Sequence, residues 1–439
     1  MNASHQINSE TSNVKQPSFL NGLFWVGGSA SVSLLCQFVV AKLVAVYLPV
    51  SDFGIIGQYL SLIYIIQFIG GGIISSGVIK YFSEYATDRG VEFQNLFSSV
   101  ITLVLILSIL STVMFIPLSH TMSVFLFRTG HYTQPLMLLG VAIFPYSLLR
   151  MVLSMYSGLS YIRGYASLNM MLSIGLLIIV CTYFIMNKSL ISVLYAFPSA
   201  YIVLLPIFLY FLRKLKLQEK IINFRLKIDS KQAKNLICFS LMPAVSVLLA
   251  PISQIVIRRY ISSSANWNLI GNWQAMNKIS DAYMLIISMF LLNYFMPKIS
   301  ALKTMTSIST ELKKFCMRLL PFASLVFVLS IACRKWIILI LYSKKYLSIS
   351  VPLLFQFGGD FFRVMALVFV YVLIARAKVK YFVLIESFVT LLLILFTIFG
   401  FHYFGLLGMA GGYFFVSTGF FLVSFSSVLF FLTSKSNYE

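Results

Sequence analysis

Charge is the scarcest commodity in this chain. Only 10% of its 439 residues are Asp, Glu, Lys or Arg, against about a quarter in a soluble domain. That excludes a water-soluble protein of this size, whose surface would hold too little charge to stay dissolved. Acids are rarer still, with 12 Asp and Glu against 33 Lys and Arg. Histidine occurs four times, at His5, His120, His131 and His402, and no HExxH or paired Cys/His spacing points to zinc. No GxxxxGK[ST] phosphate loop and no GxSxG elbow is present, so neither a built-in ATPase nor a serine hydrolase is indicated. The five cysteines, Cys36, Cys181, Cys238, Cys316 and Cys333, are scattered without a CxxC and read as small buried residues. No cofactor and no metal is expected. Residues 1–17 lack the basic–apolar–small order of a cleaved signal peptide and read as a polar tail.

What is abundant is apolar sequence, 59% of the chain. It comes in blocks long enough to cross the roughly 30 Å hydrocarbon layer as helices, the natural spanning element. Twelve blocks are predicted, at about 20–48, 54–80, 93–117, 134–158, 163–186, 190–212, 236–260, 269–297, 316–341, 351–377, 380–402 and 405–433. The predicted fold is all-α and integral to the membrane, with two six-helix bundles and both termini on one side.

The loops orient it. Eight of the 33 lysines and arginines fall on one side (Arg128, Lys188, Arg258, Arg259, Arg334, Lys335, Lys344 and Lys345). Four lie inside blocks (Lys42, Arg150, Lys278 and Arg363), and the remaining 21 lie on the other side, with the termini. By the positive-inside rule both termini are cytoplasmic. The net charge of +21 thus reports orientation, not a nucleic-acid partner. The expected division is a tail (1–17), a first bundle (18–212), a basic cytoplasmic linker (213–235), a second bundle (236–433) and a short cytoplasmic tail (434–439). The linker reads either as a solvated topogenic loop or as a contact for anionic lipid.

A faint repeat supports the two halves. Ile56-Gly57-Gln58 and Ile270-Gly271-Asn272 stand 214 residues apart, and at that offset Gln67 aligns with Asp281. Transporters are often built from such repeats, with the site at their interface. The glycines at 70–72, 408, 411 and 412 read as packing positions.

Charges inside apolar blocks carry the chemistry, since each costs about 2.5 kcal/mol or more at a helix centre without a partner or cavity. Lys278 with Asp281, and Asp360 with Arg363, are each three residues apart and share a helix face. They read either as ion pairs locking helices or as the lining of a polar cavity. Counting Lys42, Arg150, Lys278 and Arg363 against Asp281 and Asp360 leaves a surplus of two positive charges. Such a surplus suits an anionic group such as phosphate or pyrophosphate and repels a cationic drug. Lys42 and Arg150 read equally as snorkelling side chains. Of Arg258 and Arg259 one is expected at the interface and the other at the outer mouth of the cavity, with Arg258 carried as a cavity residue. Glu386 joins Asp281 and Asp360 as an expected ion-coupling acid.

Four stretches make the chain resemble the Wzx flippase family, which moves lipid-linked O-antigen and enterobacterial common antigen units. They are AKLVAVYLPVSDFGIIGQY (41–59), SGVIKYFSEYATD (76–88), IGNWQAMNKISDAY (270–283) and FQFGGDFFRVMALVFVYVLIARAKVKYFVLIE (355–386). The resemblance covers Lys42, Lys80, Asp281, Asp360, Arg363, Arg376 and Glu386; it does not cover Arg150 or Lys278. It implies a MATE-like bundle pair around a cation-lined cavity, alternating access, and drive by an ion gradient or the membrane potential. It also implies undecaprenyl-pyrophosphate-linked oligosaccharide as substrate and the bacterial inner membrane as location. The implied partners are membrane lipids and the polymerase and chain-length regulator of the same pathway. The alternatives are a MATE-type drug or cation antiporter and a membrane enzyme of the same glycan pathway, a polymerase or acyltransferase.

Overall fold

A computed structural model describes residues 19–85, 90–219, 226, 228–264, 266–302, 304–376 and 379–436. The expected N-terminal tail, residues 1–17, lies outside these, as do 220–225 and 227 of the expected linker and the last three residues.

The described chain is helical almost throughout. Its first half contains α1 (Phe19–Tyr47), α2 (Val50–Ile69), α3 (Ser75–Glu84), α4 (Val91–Phe127), α5 (Thr133–Gly158), α6 (Ile162–Met186), α7 (Leu190–Val203) and α8 (Leu205–Gln218). The second half contains α9 (Ser230–Ile261), α10 (Trp267–Phe290), α11 (Met296–Ala301), α12 (Met305–Leu341), α13 (Pro352–Ala375) and α14 (Val379–Ser436). Three predicted blocks are interrupted. The second breaks between α2 and α3, where Gly71 takes φ +155°, a conformation glycine reaches without Cβ strain. The sixth divides at Leu204, just before Pro206, and the eighth passes through a π-turn at Leu291–Phe295. α8 and α9 reach into the expected linker from both ends, and Asp229 starts α9 by accepting hydrogen bonds from the Lys231 and Gln232 amides.

α14 is a hairpin. At 1.5 Å per residue its 58 residues would span about 87 Å, far beyond a bilayer. The chain turns at Gly405 (φ +56°, ψ −132°), and the arms touch through glycine backbones: a Cβ on Gly400 would lie 2.1 Å from the Gly408 carbonyl oxygen.

Nine helices among the described residues are long and apolar enough to cross a membrane. The difference from twelve blocks sits in two places. The α14 hairpin counts once, and α9 and α10 fall outside. α10 carries Asn272, Gln274, Asn277, Lys278, Ser280 and Asp281, a composition that fits a helix facing an interior polar space rather than lipid.

The halves meet at the end of the bundle where α1 ends and α2, α10 and α13 begin. There α2 lies directly on α10. Gly54 and Gly271 let their backbones approach so closely that a Cβ on Gly271 would stand 1.8 Å from the Val50 carbonyl oxygen. One turn on, Gly57 receives the Gln274 side chain. The two copies of the repeat motif are therefore each other's packing partners. Phe53, Tyr342 and Tyr346 seal the same end with ring centroids 5.2–5.8 Å apart. Burial pushes the phenol of Tyr346, in the turn after α12, up from its usual range.

Candidate functional site

Two chambers lie behind this seam, and Arg150 borders both. The inner chamber, about 280 Å³, is enclosed by α1, α2, α5, α6 and α7, with Lys278 entering from α10. Its wall is largely apolar (Val40, Val44, Ile56, Leu172, Phe197) with Gln37 and Asn169 set into it. The outer chamber, about 390 Å³, runs along the second half of α2, α3, the second half of α5 and α9 from Ser240 to Pro251, toward the end of the bundle where α1 begins. Its wall is rich in hydroxyls: Ser75, Ser76, Ser157, Tyr165 and Ser240.

Arg150 sits on α5 eight residues before the helix ends, yet its side chain is exposed, because it faces the chambers. Tyr64, Tyr146, Tyr165 and Tyr201 surround it within electrostatic reach. Among the described residues it makes no ion pair and donates no side-chain hydrogen bond. A guanidinium carries five donors, and here it faces both chambers. Lys278 enters the same inner chamber and donates to Gln37 Oε1 at 2.6 Å. Asp281, one turn further along α10, is exposed in the interior within reach of Lys278, Arg363 and Arg258.

Two cations expected at the cavity lie elsewhere. Lys42 points along α1 to the closed end, donating to the Leu339 carbonyl at 2.7 Å and to that of Tyr342. It caps α12 instead of lining a chamber. Arg258 is 2% exposed and lies in the seam rather than at the outer mouth. It donates to the Gly57 carbonyl at 3.1 Å, Ser61 Oγ at 2.8 Å, Gln254 Oε1 at 2.9 Å and Gln274 Oε1, with Trp273 under its guanidinium. Those acceptors come from α2, α9 and α10, so Arg258 binds the halves together. Lys80 closes α3 on the outside, 3.7 Å from Glu84 and over the Phe239 ring. Arg376 follows α13 and donates to the carbonyls of Ile299 and Leu302.

The second half holds its own polar group. Asp360, 2% exposed on α13, accepts from Ser280 Oγ at 2.7 Å, Tyr413 Oη at 2.6 Å and Tyr283 Oη. Gln356 Nε2 donates to Ser280 Oγ at 2.9 Å and completes the chain. Arg363 lies within electrostatic reach of Asp360, Glu386 and Tyr413. The surplus of positive charge counted from sequence is thus a local one. Arg150 and Lys278 hold it on the first-half side, whereas Asp281, Asp360 and Glu386 outnumber Arg363 on the other.

Several of these residues drew no attention in the sequence. Tyr64, Tyr146, Tyr165, Tyr201 and Gln37 read as ordinary members of apolar blocks. Gln67 entered only as the repeat partner of Asp281, and the structure shows that both face the interior space. An uncharged amide within an apolar block, as at Gln37 and Gln67, was the available signal.

No protein-family model matches the chain. It is 25% identical over 380 residues to the Lipid III flippase of Escherichia coli (strain K12), covering 84% of this chain and 88% of that protein. It superposes on the inward-facing conformation of a multidrug resistance MATE family transporter of the MOP superfamily. The TM-score is 0.75 at 13% identity, over 92% of this chain and 96% of the other. The Lipid II flippase MurJ in an inward closed conformation superposes with a TM-score of 0.68 at 16% identity, over 93% and 87%. The protein is a multi-span helical membrane protein with the fold of these transporters.

Proposed function

We propose that the protein is a flippase of the Wzx type. It carries undecaprenyl-pyrophosphate-linked O-antigen or related surface-glycan units across the bacterial inner membrane, from the cytoplasmic to the periplasmic leaflet. The observation that carries the reading is Arg150: a guanidinium inside the bundle, without a carboxylate partner among the described residues, facing the same inner chamber as Lys278. Two cations on one chamber suit a diphosphate, since a guanidinium offers paired donors and an ammonium a compact charge. The similarity to a Lipid III flippase supports the reading.

Transport proceeds by alternating access between the two halves. In this reading the ends of the chain and the outer chamber are cytoplasmic, as the positive-inside bias supports, and the seam around Gly54 and Gly271 is the periplasmic gate, closed in this conformation. Asp281, Asp360 and Glu386 take part in coupling to an ion gradient or the membrane potential. No catalytic group is assigned; the polymerase and chain-length regulator of the pathway are proposed as partners.

The test is flipping of a fluorescent polyprenyl-diphosphate glycan in proteoliposomes. Arg150→Ala with Lys278→Ala should slow it about a hundredfold, because two charge-assisted contacts are lost. Undiminished flipping in the double variant sinks the proposal. The acidic side of the second half favours one rival, a cation or drug antiporter. That rival predicts cation transport unaffected by Arg150→Ala and no flipping of the lipid.

A further inference from the structure

The outer chamber holds a set of polar groups that the protein itself leaves unused. Gln67 is 5% exposed and its side chain lines both chambers; its buried amide nitrogen meets no partner in hydrogen-bond geometry among the described residues, with the Tyr201 phenol as a polar neighbour. A buried donor left unmatched is costly, so such groups are normally satisfied. The phenols of Tyr64, Tyr146 and Tyr165 likewise make no hydrogen bond among the described residues, although all three border the outer chamber. Tyr64 stands in the middle of α2 with 58% of its surface open, and no other ring packs on it among the described residues. Ser157 at the end of α5 is exposed to the same space. Among the described residues, Arg150 is the one charged side chain that borders this chamber.

These features specify a ligand chemistry. A free aromatic face offers a flat apolar platform, and phenols, serine hydroxyls and an amide offer donors and acceptors in many directions. A neutral sugar ring presents that same combination, apolar C–H faces edged by hydroxyls or acetamido groups. A hydrocarbon chain would leave the polar groups unpaired, and a second anion would find only Arg150.

We propose that the outer chamber is a subsite for the sugar unit next to the diphosphate. Tyr64 serves as its stacking face, and Gln67, Tyr165 and Ser157 as its hydrogen-bonding groups. The subsite rests on the flippase reading above and deepens it: Arg150, shared by both chambers, stands at the junction between diphosphate and first sugar. The residues that recognise the glycan are then distinct from those that hold its charge.

The test compares two lipids on the full-length protein in nanodiscs: a polyprenyl diphosphate bearing one N-acetylhexosamine, and the same polyprenyl diphosphate without sugar. The variants are Ser157→Ala and Tyr165→Phe, near-isosteric changes that remove polar atoms from residues bordering the outer chamber and not the inner one, alongside Arg150→Ala. The expected result is about tenfold weaker binding of the sugar-bearing lipid by each subsite variant. Binding of the sugar-free lipid should stay unchanged, and Arg150→Ala should weaken both. Equal loss for both lipids, or no loss for either, overturns the subsite while leaving the flippase reading standing. If the unaltered protein binds neither diphosphate lipid better than phosphatidylglycerol, the flippase reading falls and the subsite with it.

Discussion

Lys42 and Lys345 cap each other's helices. Lys42, near the end of α1, donates to the last carbonyls of α12, those of Leu339 and Tyr342. Lys345, just past α12, donates to Val46 and Leu48 at the end of α1, at 3.0 Å and 3.3 Å. Ser343 adds a third bond, to the Ala45 carbonyl at 3.1 Å. Helix C-termini leave carbonyls unsatisfied and carry partial negative charge, so each lysine answers both needs of the opposite helix. α1 belongs to the first half and α12 to the second, so this exchange spans the seam between them.

Replacing both lysines by methionine should therefore favour opening of that end. The measurement is the labelling rate of a single cysteine at position 50, beside Gly271, with the five native cysteines replaced by serine. Hydrogen bonds to a charged group contribute about 1.5–3 kcal/mol each. The double variant should label about tenfold faster or more, and each single variant should fall between. An unchanged rate would mean that the closed seam does not depend on these caps.

Gly271→Ala probes the same seam from within. The added Cβ would meet backbone, the Val50 carbonyl 1.8 Å away, so α2 and α10 would have to separate. Flipping should be lost and the cysteine at position 50 should become reactive. Gly411→Ala is the matched control, because its Cβ would meet nothing within 4 Å. A glycine-to-alanine change inside a helix is neutral to mildly stabilising, by up to about 1 kcal/mol, and transport should persist there. Retained transport in Gly271→Ala would show that the tight approach is dispensable.

Helix positions were legible in the sequence because hydrophobic block length answers directly to bilayer thickness. Breaks and turns within blocks were not: Gly71 and Gly405 are indistinguishable by composition from glycines that merely pack. The repeat at Gly57 and Gly271 was visible, but that its two copies touch depends on tertiary assembly. Buried charges pointed to a polar interior, and Arg150, Lys278 and Asp281 do face it. Depth along a helix could not say which way a side chain faces. Lys42 and Arg258 lie in the seam, where they donate to backbone, amide and hydroxyl oxygens, and the tyrosines around Arg150 gave no charge signal at all.

The start of α12 is tied to α11 by Lys298 and Glu311, 2.5 Å apart. The hydrogen bond to Glu311 raises the Lys298 ammonium above its ordinary value. A raised lysine contributes stability that is fully present below the unfolded value, near 10.4, and fades only as pH rises through the folded value. The pair should thus give no pH dependence between pH 6 and 9. Glu311→Gln should leave the thermal-unfolding profile flat across that range, with a small uniform shift, as expected of an exposed pair. A slope appearing there would assign the effect to another group.

Asp360 is the acid most sensitive to substitution, because three hydroxyls from Ser280, Tyr283 and Tyr413 converge on it. Asp360→Ala leaves those donors without their acceptor in a buried site, at about 1–3 kcal/mol for each one unmatched. It should lower the melting temperature clearly. Asp360→Asn keeps the shape and one acceptor oxygen but removes the charge. If Asp360 couples transport to an ion, the Asn variant should bind the polyprenyl-diphosphate glycan as the unaltered protein does. Its flipping should no longer accelerate when an ion gradient is imposed on the vesicles. Gradient-stimulated flipping that survives in Asp360→Asn would confine Asp360 to holding α10, α13 and the second arm of α14 together.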